Sequence, residues 1–273
     1  MPLFRTDGIV LRSWDLGEHD RLISLYTRDL GRLHAVARGA RRLRSRFGAS
    51  LELFTWGEAV GFEREGRALL RLDHFDIRRS FRRVREDLER LGQGARMLEA
   101  VTRLTGERDP QPSCFALLLR AMGALEAHPP ARVQLAFTLR LLDLAGHRPR
   151  LDRCAGCARA VGTTGIVFDV GAGTIGCGRC RPAGALPLAP KTLAVLRGLQ
   201  AAPWEARLSA RVAAPVERDA SAVLDQYLGA VSGAALRSPR FLARTVSLAP
   251  TQVAIAVGRR ERERNPDDWA GGP

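Results

Sequence analysis

The 273-residue chain carries 43 Lys and Arg against 29 Asp and Glu, a formal net charge of +14, and is 45% hydrophobic. No apolar stretch approaches the ~20 residues that span a bilayer, which argues against an integral membrane protein and for a soluble, cytoplasmic one. So large a positive balance calls for a polyanion, with nucleic acid first and an anionic membrane surface second.

Two domains, or one large domain with an insert, fit this length. Lys191 is the sole lysine, and the abundance of Ala, Gly and Arg suggests a GC-rich genome. That explains arginine over lysine but not the excess of cations over acids. The opening residues, Met1-Pro-Leu-Phe-Arg-Thr-Asp-Gly8, lack the apolar segment of a secretory signal, so reduced thiols are expected.

Residues 3–78 read as five short strands: Phe4–Asp15, Asp20–Thr27, Arg32–Arg38, Leu51–Glu63 and Ala68–Phe75. Five strands with turn residues between them and no helical repeat suit a small barrel. The OB-fold is the common nucleic-acid module among such barrels, although strand count alone does not select it. Between Arg28 and Arg46 stand Arg28, Arg32, Arg38, Arg41, Arg42, Arg44 and Arg46 against a single acid, Asp29. A charge run is usually a solvated face. One this one-sided, with Gly31, Gly39 and Gly48 nearby, is predicted to hold phosphates. Tyr26, Phe47 and Trp56 are candidate base-stacking rings or core residues.

From Phe81 the period changes. Phe81, Val84, Leu88, Leu91, Ala95, Leu98, Val101 and Leu104 recur every three or four residues, which predicts an amphipathic helix loosened at Gly92–Gly94. Asp109-Pro110 reads as the start of a second helix running to Ala127. A third is predicted from Ala131 to Ala145, and further helices from Pro190 to Leu199 and from Val216 to Leu236.

Between them lie Cys154-Ala-Gly-Cys157 and Cys177-Gly-Arg-Cys180, separated by nineteen residues. Each Cys-x-x-Cys turn points two thiolates at one spot, and two turns complete the tetrahedron that zinc prefers. Four thiolates leave no vertex for a catalytic water, so the expected metal is one structural Zn2+ held by Cys154, Cys157, Cys177 and Cys180. The alternatives are two disulfides or four inert thiols. Cys114, in an apolar run, reads as a core residue. The tail, residues 251–273, is expected to be disordered.

Other motifs carry less. Gly171-Ala-Gly-Thr-Ile-Gly176 matches a dinucleotide fingerprint, but Cys177 and Pro182 follow where a helix is required, so tight turns are expected instead. Glu18-His19-Asp20 groups an acid, a base and an acid, yet neighbours on an extended segment point to opposite faces. A polar turn is the expected reading. No phosphate loop or hydrolase motif occurs, and nothing argues for an enzyme.

Leu16-Gly-Glu-His-Asp-Arg-Leu22, Tyr26-Thr27, Leu30-Gly31, Ala37-Arg-Gly-Ala-Arg-Arg42 and Ser45 together resemble the N-terminal region of the bacterial recombination mediator family RecO. Phe137-Thr-Leu-Arg-Leu-Leu142, Gly146, Pro149, Leu151 and Cys154 are similar to that family's entry into its cysteine module. The resemblance implies an α+β chain: an N-terminal five-stranded OB-fold barrel, then an α-helical domain with an inserted four-cysteine zinc module. The implied boundaries are a DNA-binding barrel over 1–80, helical parts over 81–149 and 184–250, and the zinc module over 150–183. It further implies binding of single- and double-stranded DNA, strand annealing, and partnership with RecR, with single-strand-binding protein and RecA as further partners, on the cytoplasmic nucleoid. An RNA-binding or ribosome-associated zinc protein is the alternative these residues leave open, and a nuclease the third.

Overall fold

A computed structural model describes residues 2–63 and 69–235. Its first strands are β1 (Leu3–Leu16), β2 (Asp20–Thr27), β3 (Gly31–Ala37), β4 (Trp56–Phe62) and β5 (Leu70–Arg79), closed into a barrel in the order β1-β2-β3-β5-β4. Every pairing is antiparallel except β3 with β5. This is an OB-like barrel. Alternation sets its faces: Leu33, Ala35 and Ala37 of β3 point inward to meet Val10, Ile23, Leu25, Ala59, Leu72 and Phe75.

The expected strand start at Leu51 is not observed. Residues 48–54 form turns instead, with the N–H groups of Ser50, Glu52 and Thr55 bonded to carbonyls three residues back. Leu51 plugs the barrel core, while Phe54, at φ 68°, packs into a second core built by the helices. Tertiary burial of these two side chains outweighs their strand preference. The predicted strand start at Ala68 lies outside the described residues, as do the predicted helix end at Leu236 and the tail.

The helices are α1 (Arg82–Glu86), α2 (Leu88–Leu104), α3 (Pro112–Leu125), α4 (Pro130–Leu144), α5 (Pro190–Ala201), α6 (Trp204–Ser209) and α7 (Ala214–Val231). The break in the first helical stretch falls at Asp87, not at the glycines. Asp87 is extended (φ −115°, ψ 123°), and its carboxylate accepts from the Arg90 N–H, capping α2. Gly94 stays helical and lets the Phe54 ring approach, since a Cβ there would lie 2.9 Å from it. Pro112 rather than Pro110 occupies the first turn of α3. The short α6 went unpredicted.

α4 is the central helix and touches α2, α3, α5, α6 and α7. Its Arg132 pairs with Glu217 of α7 at 2.5 Å in the interior, and Arg96 of α2 pairs with Asp225 of the same helix. Barrel and helices meet where the Tyr26 ring packs on Phe115 and its hydroxyl donates to the Gln111 carbonyl at 3.4 Å. Between α4 and α5 the chain forms a small sheet of β6 (Val167–Asp169), β7 (Thr174–Gly176) and β8 (Leu186–Pro187), ordered β7-β6-β8.

Candidate nucleic-acid interface and metal centre

The basic run begins in the turn between β2 and β3 with Arg28, crosses β3 with Arg32, and continues from Arg38 into the loop to β4. A short positive-φ step at Gly39 (φ 68°) turns the chain out of the barrel, a conformation that favours glycine. The turn between β1 and β2 holds this loop in place. Asp20 accepts the Gly39 N–H at 2.8 Å, and the His19 carbonyl accepts the Arg41 N–H at 2.9 Å. Arg41 completes the latch by donating to the Gly17 carbonyl at 2.8 Å and pairing with Asp15 at 3.3 Å. Glu18-His19-Asp20 thus serves as a turn, with Asp20 a positioning acceptor. The sequence marks Asp20 only as part of a polar turn and does not mark Asp15 or Gly17, because only the fold brings them beside Gly39 and Arg41.

Replacing Asp20 with Ala should cost about 1–2 kcal/mol, the scale of a lost charge-assisted hydrogen bond. Urea unfolding should register that loss, and Asp20→Asn, which keeps an acceptor oxygen, should restore most of it.

The seven arginines are not equivalent. Arg38, Arg42 and Arg44 are exposed and have neither ion pair nor side-chain hydrogen bond among the described residues. Leu43, between the last two, is fully exposed at 104%. Arg41 belongs to the latch. Arg46 donates to Asp73 at 2.8 Å and lies 5.3 Å from the Phe47 ring centroid. Arg28 faces Asp29 at 3.8 Å on the surface. Exposed pairs of this kind are worth about 0–1 kcal/mol, so a phosphate can displace them. Arg32 is different: it is 19% exposed, donates to the Thr102 carbonyl at 3.1 Å and pairs with Glu107 at 3.5 Å, bracing the barrel against the helices. Of the candidate stacking rings, Tyr26 and Phe47 are buried core residues, and Trp56 is half-buried with the Arg78 guanidinium 5.8 Å from its centroid.

The second site is the cysteine cluster. The sulfur atoms of Cys154, Cys157, Cys177 and Cys180 all lie within 4.8 Å of one another. Cys157 and Cys177 stand 4.0 Å apart, about twice a disulfide bond, and all five cysteines are free thiols. Sulfurs around one tetrahedral ion at ~2.3 Å would sit about 3.8 Å apart, so the donor set fits a metal. Backbone N–H groups of Cys177 and Cys157 favour the Cys154 thiolate and bring its pKa down to about 6. Crowding by its neighbouring sulfurs pushes Cys180 the other way. A cation at the centre would remove that conflict.

The surrounding chain is tied to the helices. Arg197 of α5 donates to the carbonyls of Leu151 (2.6 Å) and Asp152 (2.9 Å), and Gln200 to that of Pro149 (3.0 Å). Phe168 meets the Tyr227 ring of α7 edge-on at 5.7 Å. The Gly171–Gly173 segment is the hairpin turn between β6 and β7, with Asp169 accepting the N–H groups of Gly171 and Ala172. Gly173 (φ 64°) must be glycine, because a Cβ would lie 2.3 Å from the Tyr227 hydroxyl oxygen. No helix follows, so the dinucleotide fingerprint is a turn. Cys114 is buried in α3, as its apolar run implies.

Residues 1–81 match the family described as recombination protein O N terminal, and residues 85–240 match recombination protein O C terminal. The chain belongs to the RecO family. The DNA repair protein RecO of Anaeromyxobacter dehalogenans strain 2CP-C is 41% identical over 245 residues, covering 89% of this chain and 96% of that one. The RecO of Rubrobacter xylanophilus is 41% identical over 216 residues (77% and 86%), and that of Thermobifida fusca 39% over 209 (75% and 84%). Among the described residues, no helix of this RecO-family chain is long and apolar enough to cross a membrane.

Proposed function

We propose that this RecO-family chain binds single- and double-stranded DNA through the β3–β4 loop of its barrel, anneals complementary strands, and with RecR helps RecA replace single-strand-binding protein during repair on the nucleoid. The observation that carries the DNA-binding reading is the trio Arg38, Arg42 and Arg44: exposed, unpaired among the described residues, and held out on a loop latched to the β1–β2 turn. Unpaired guanidiniums neutralise phosphates without reading sequence. Annealing then needs no bond-making chemistry, because neutralised strands repel less. The partners rest on the family alone.

In this reading residues 1–80 are the DNA-binding domain, 81–149 and 184–250 the helical domain, and 150–183 a module closed by one structural zinc. Zinc is favoured because four thiolates in tetrahedral spacing suit it and leave no open coordination position. A competition titration separates the RNA-binding alternative. Unlabelled DNA should displace a labelled single-stranded oligonucleotide at least as well as RNA of the same sequence. Marked preference for RNA would point to 2′-hydroxyl contacts and overturn the DNA assignment.

A further inference from the structure

The outer face of β1, β2 and β3 changes character along its length. At one end the helical elements cover it: Tyr26 packs on Phe115, Arg32 reaches Thr102, and His34 faces Glu107 at 3.3 Å. At the other end Trp14 pairs with Leu22, Leu22 with Val36, and Val36 with Arg71 of β5, a single row crossing the sheet. Their chain neighbours Ile23, Ala35 and Ala37 point into the barrel, so this row points out. Trp14, Leu22 and Val36 are partly exposed and belong to neither hydrophobic core.

We propose that Trp14, with Leu22 and Val36 beside it, forms a platform on which unpaired bases of single-stranded DNA stack. The inference rests on the DNA-binding reading above and adds to it the element that tells a single strand from a duplex. At about 4.8 Å between strands, three side chains in a row span about 10 Å, room for one or two bases. Cations border the row on two sides. Arg71 continues it on β5, and Ala37, one residue beyond Val36, leads into Arg38, which is exposed and unpaired among the described residues. The Arg41–Asp15 pair fixes the loop beside the residue that follows Trp14. Phosphates on the arginines would place bases over the apolar strip. Paired bases in a duplex have no free face to offer it, whereas every unpaired base does.

Two substitutions separate the ring from its bulk. Trp14→Leu keeps an apolar side chain and should weaken binding of an oligo-dT strand roughly tenfold, the scale of one base stack, with duplex affinity changed less than about twofold. Trp14→Phe keeps an aromatic face and should stay within about threefold of wild type for both. The salt slope should be unchanged in each, since neither substitution touches a phosphate-binding group. Equal weakening of both DNA forms by Trp14→Leu, or no weakening of either, would overturn the platform. Wild-type protein offers a second measurement that does not depend on the variants folding. An abasic strand of the same length should bind roughly tenfold more weakly than oligo-dT, and equal binding would also overturn it. Absence of binding to any DNA at low salt would instead refute the reading beneath it.

Discussion

Replacing Cys177 with Ser is expected to abolish metal retention and to lower stability by at least about 3 kcal/mol. Zinc supplies on the order of 10 kcal/mol of folding free energy in small modules that depend on it. Here the strands around the cysteine cluster are short: β6 and β7 have three residues each and β8 has two. A sheet of that size is not stable by itself. Part of the module rests on α5 and α7 through Arg197 and the Phe168–Tyr227 ring contact, so the loss should be partial rather than complete. In a chain of this length each 1 kcal/mol corresponds to about 2–4 °C in Tm. Protein prepared without chelator should contain one zinc per chain, and the variant close to none. Wild type holding well under one metal ion, or a variant with an unchanged Tm, would remove the metal from the account.

The second large effect is expected from Arg38, Arg42 and Arg44 replaced together by Ala. Removing one phosphate-binding arginine flattens the plot of log affinity against log salt by ~0.7 for single strands and ~0.9 for duplex. Three such arginines therefore predict a flattening of about 2 for single strands and nearly 3 for duplex. The weakening should be nearly uniform across sequences, because phosphates carry no base information. Arg32→Ala is the contrasting control. With its guanidinium on Thr102 and Glu107, it should lower stability and leave the slope nearly unaltered. An unchanged slope in the triple variant would place the DNA elsewhere on the molecule.

The barrel was legible in the sequence because its strands alternate, and β2 falls on the residues the alternation picked out, Asp20–Thr27. The cysteine cluster was legible for a similar reason: the spacing of each Cys-x-x-Cys pair is local. What escaped depends on packing between distant segments. Leu51 and Phe54 have strand-like side chains, yet each is drawn into a different core and the chain between them must turn. The helix break went to Asp87 because a capping carboxylate and an extended backbone act there, while Gly94 is kept helical by the Phe54 ring against it. The arginine run was visible as charge, but composition could not divide it. Only the fold shows Arg32 as a brace, Arg41 as a latch, and Arg38, Arg42 and Arg44 as unpaired among the described residues. Likewise Tyr26 and Phe47 looked able to stack because they lie near the basic run. Trp14, partly exposed and opposite its cross-strand partner Leu22, lies on the outer face instead.

Arg38, Arg42 and Arg44, unpaired among the described residues and carried on a latched loop of the barrel, are expected to let this chain bring complementary strands together without nucleotide. A strand-annealing assay with fluorophore-labelled complementary oligonucleotides, run at low salt with and without ATP, tests it most directly. Wild type should accelerate annealing equally in both conditions, the effect should fade as salt rises, and the Arg38, Arg42, Arg44 triple variant should lose most of it. Annealing that required ATP, or that the triple variant carried out as fast as wild type, would contradict the account.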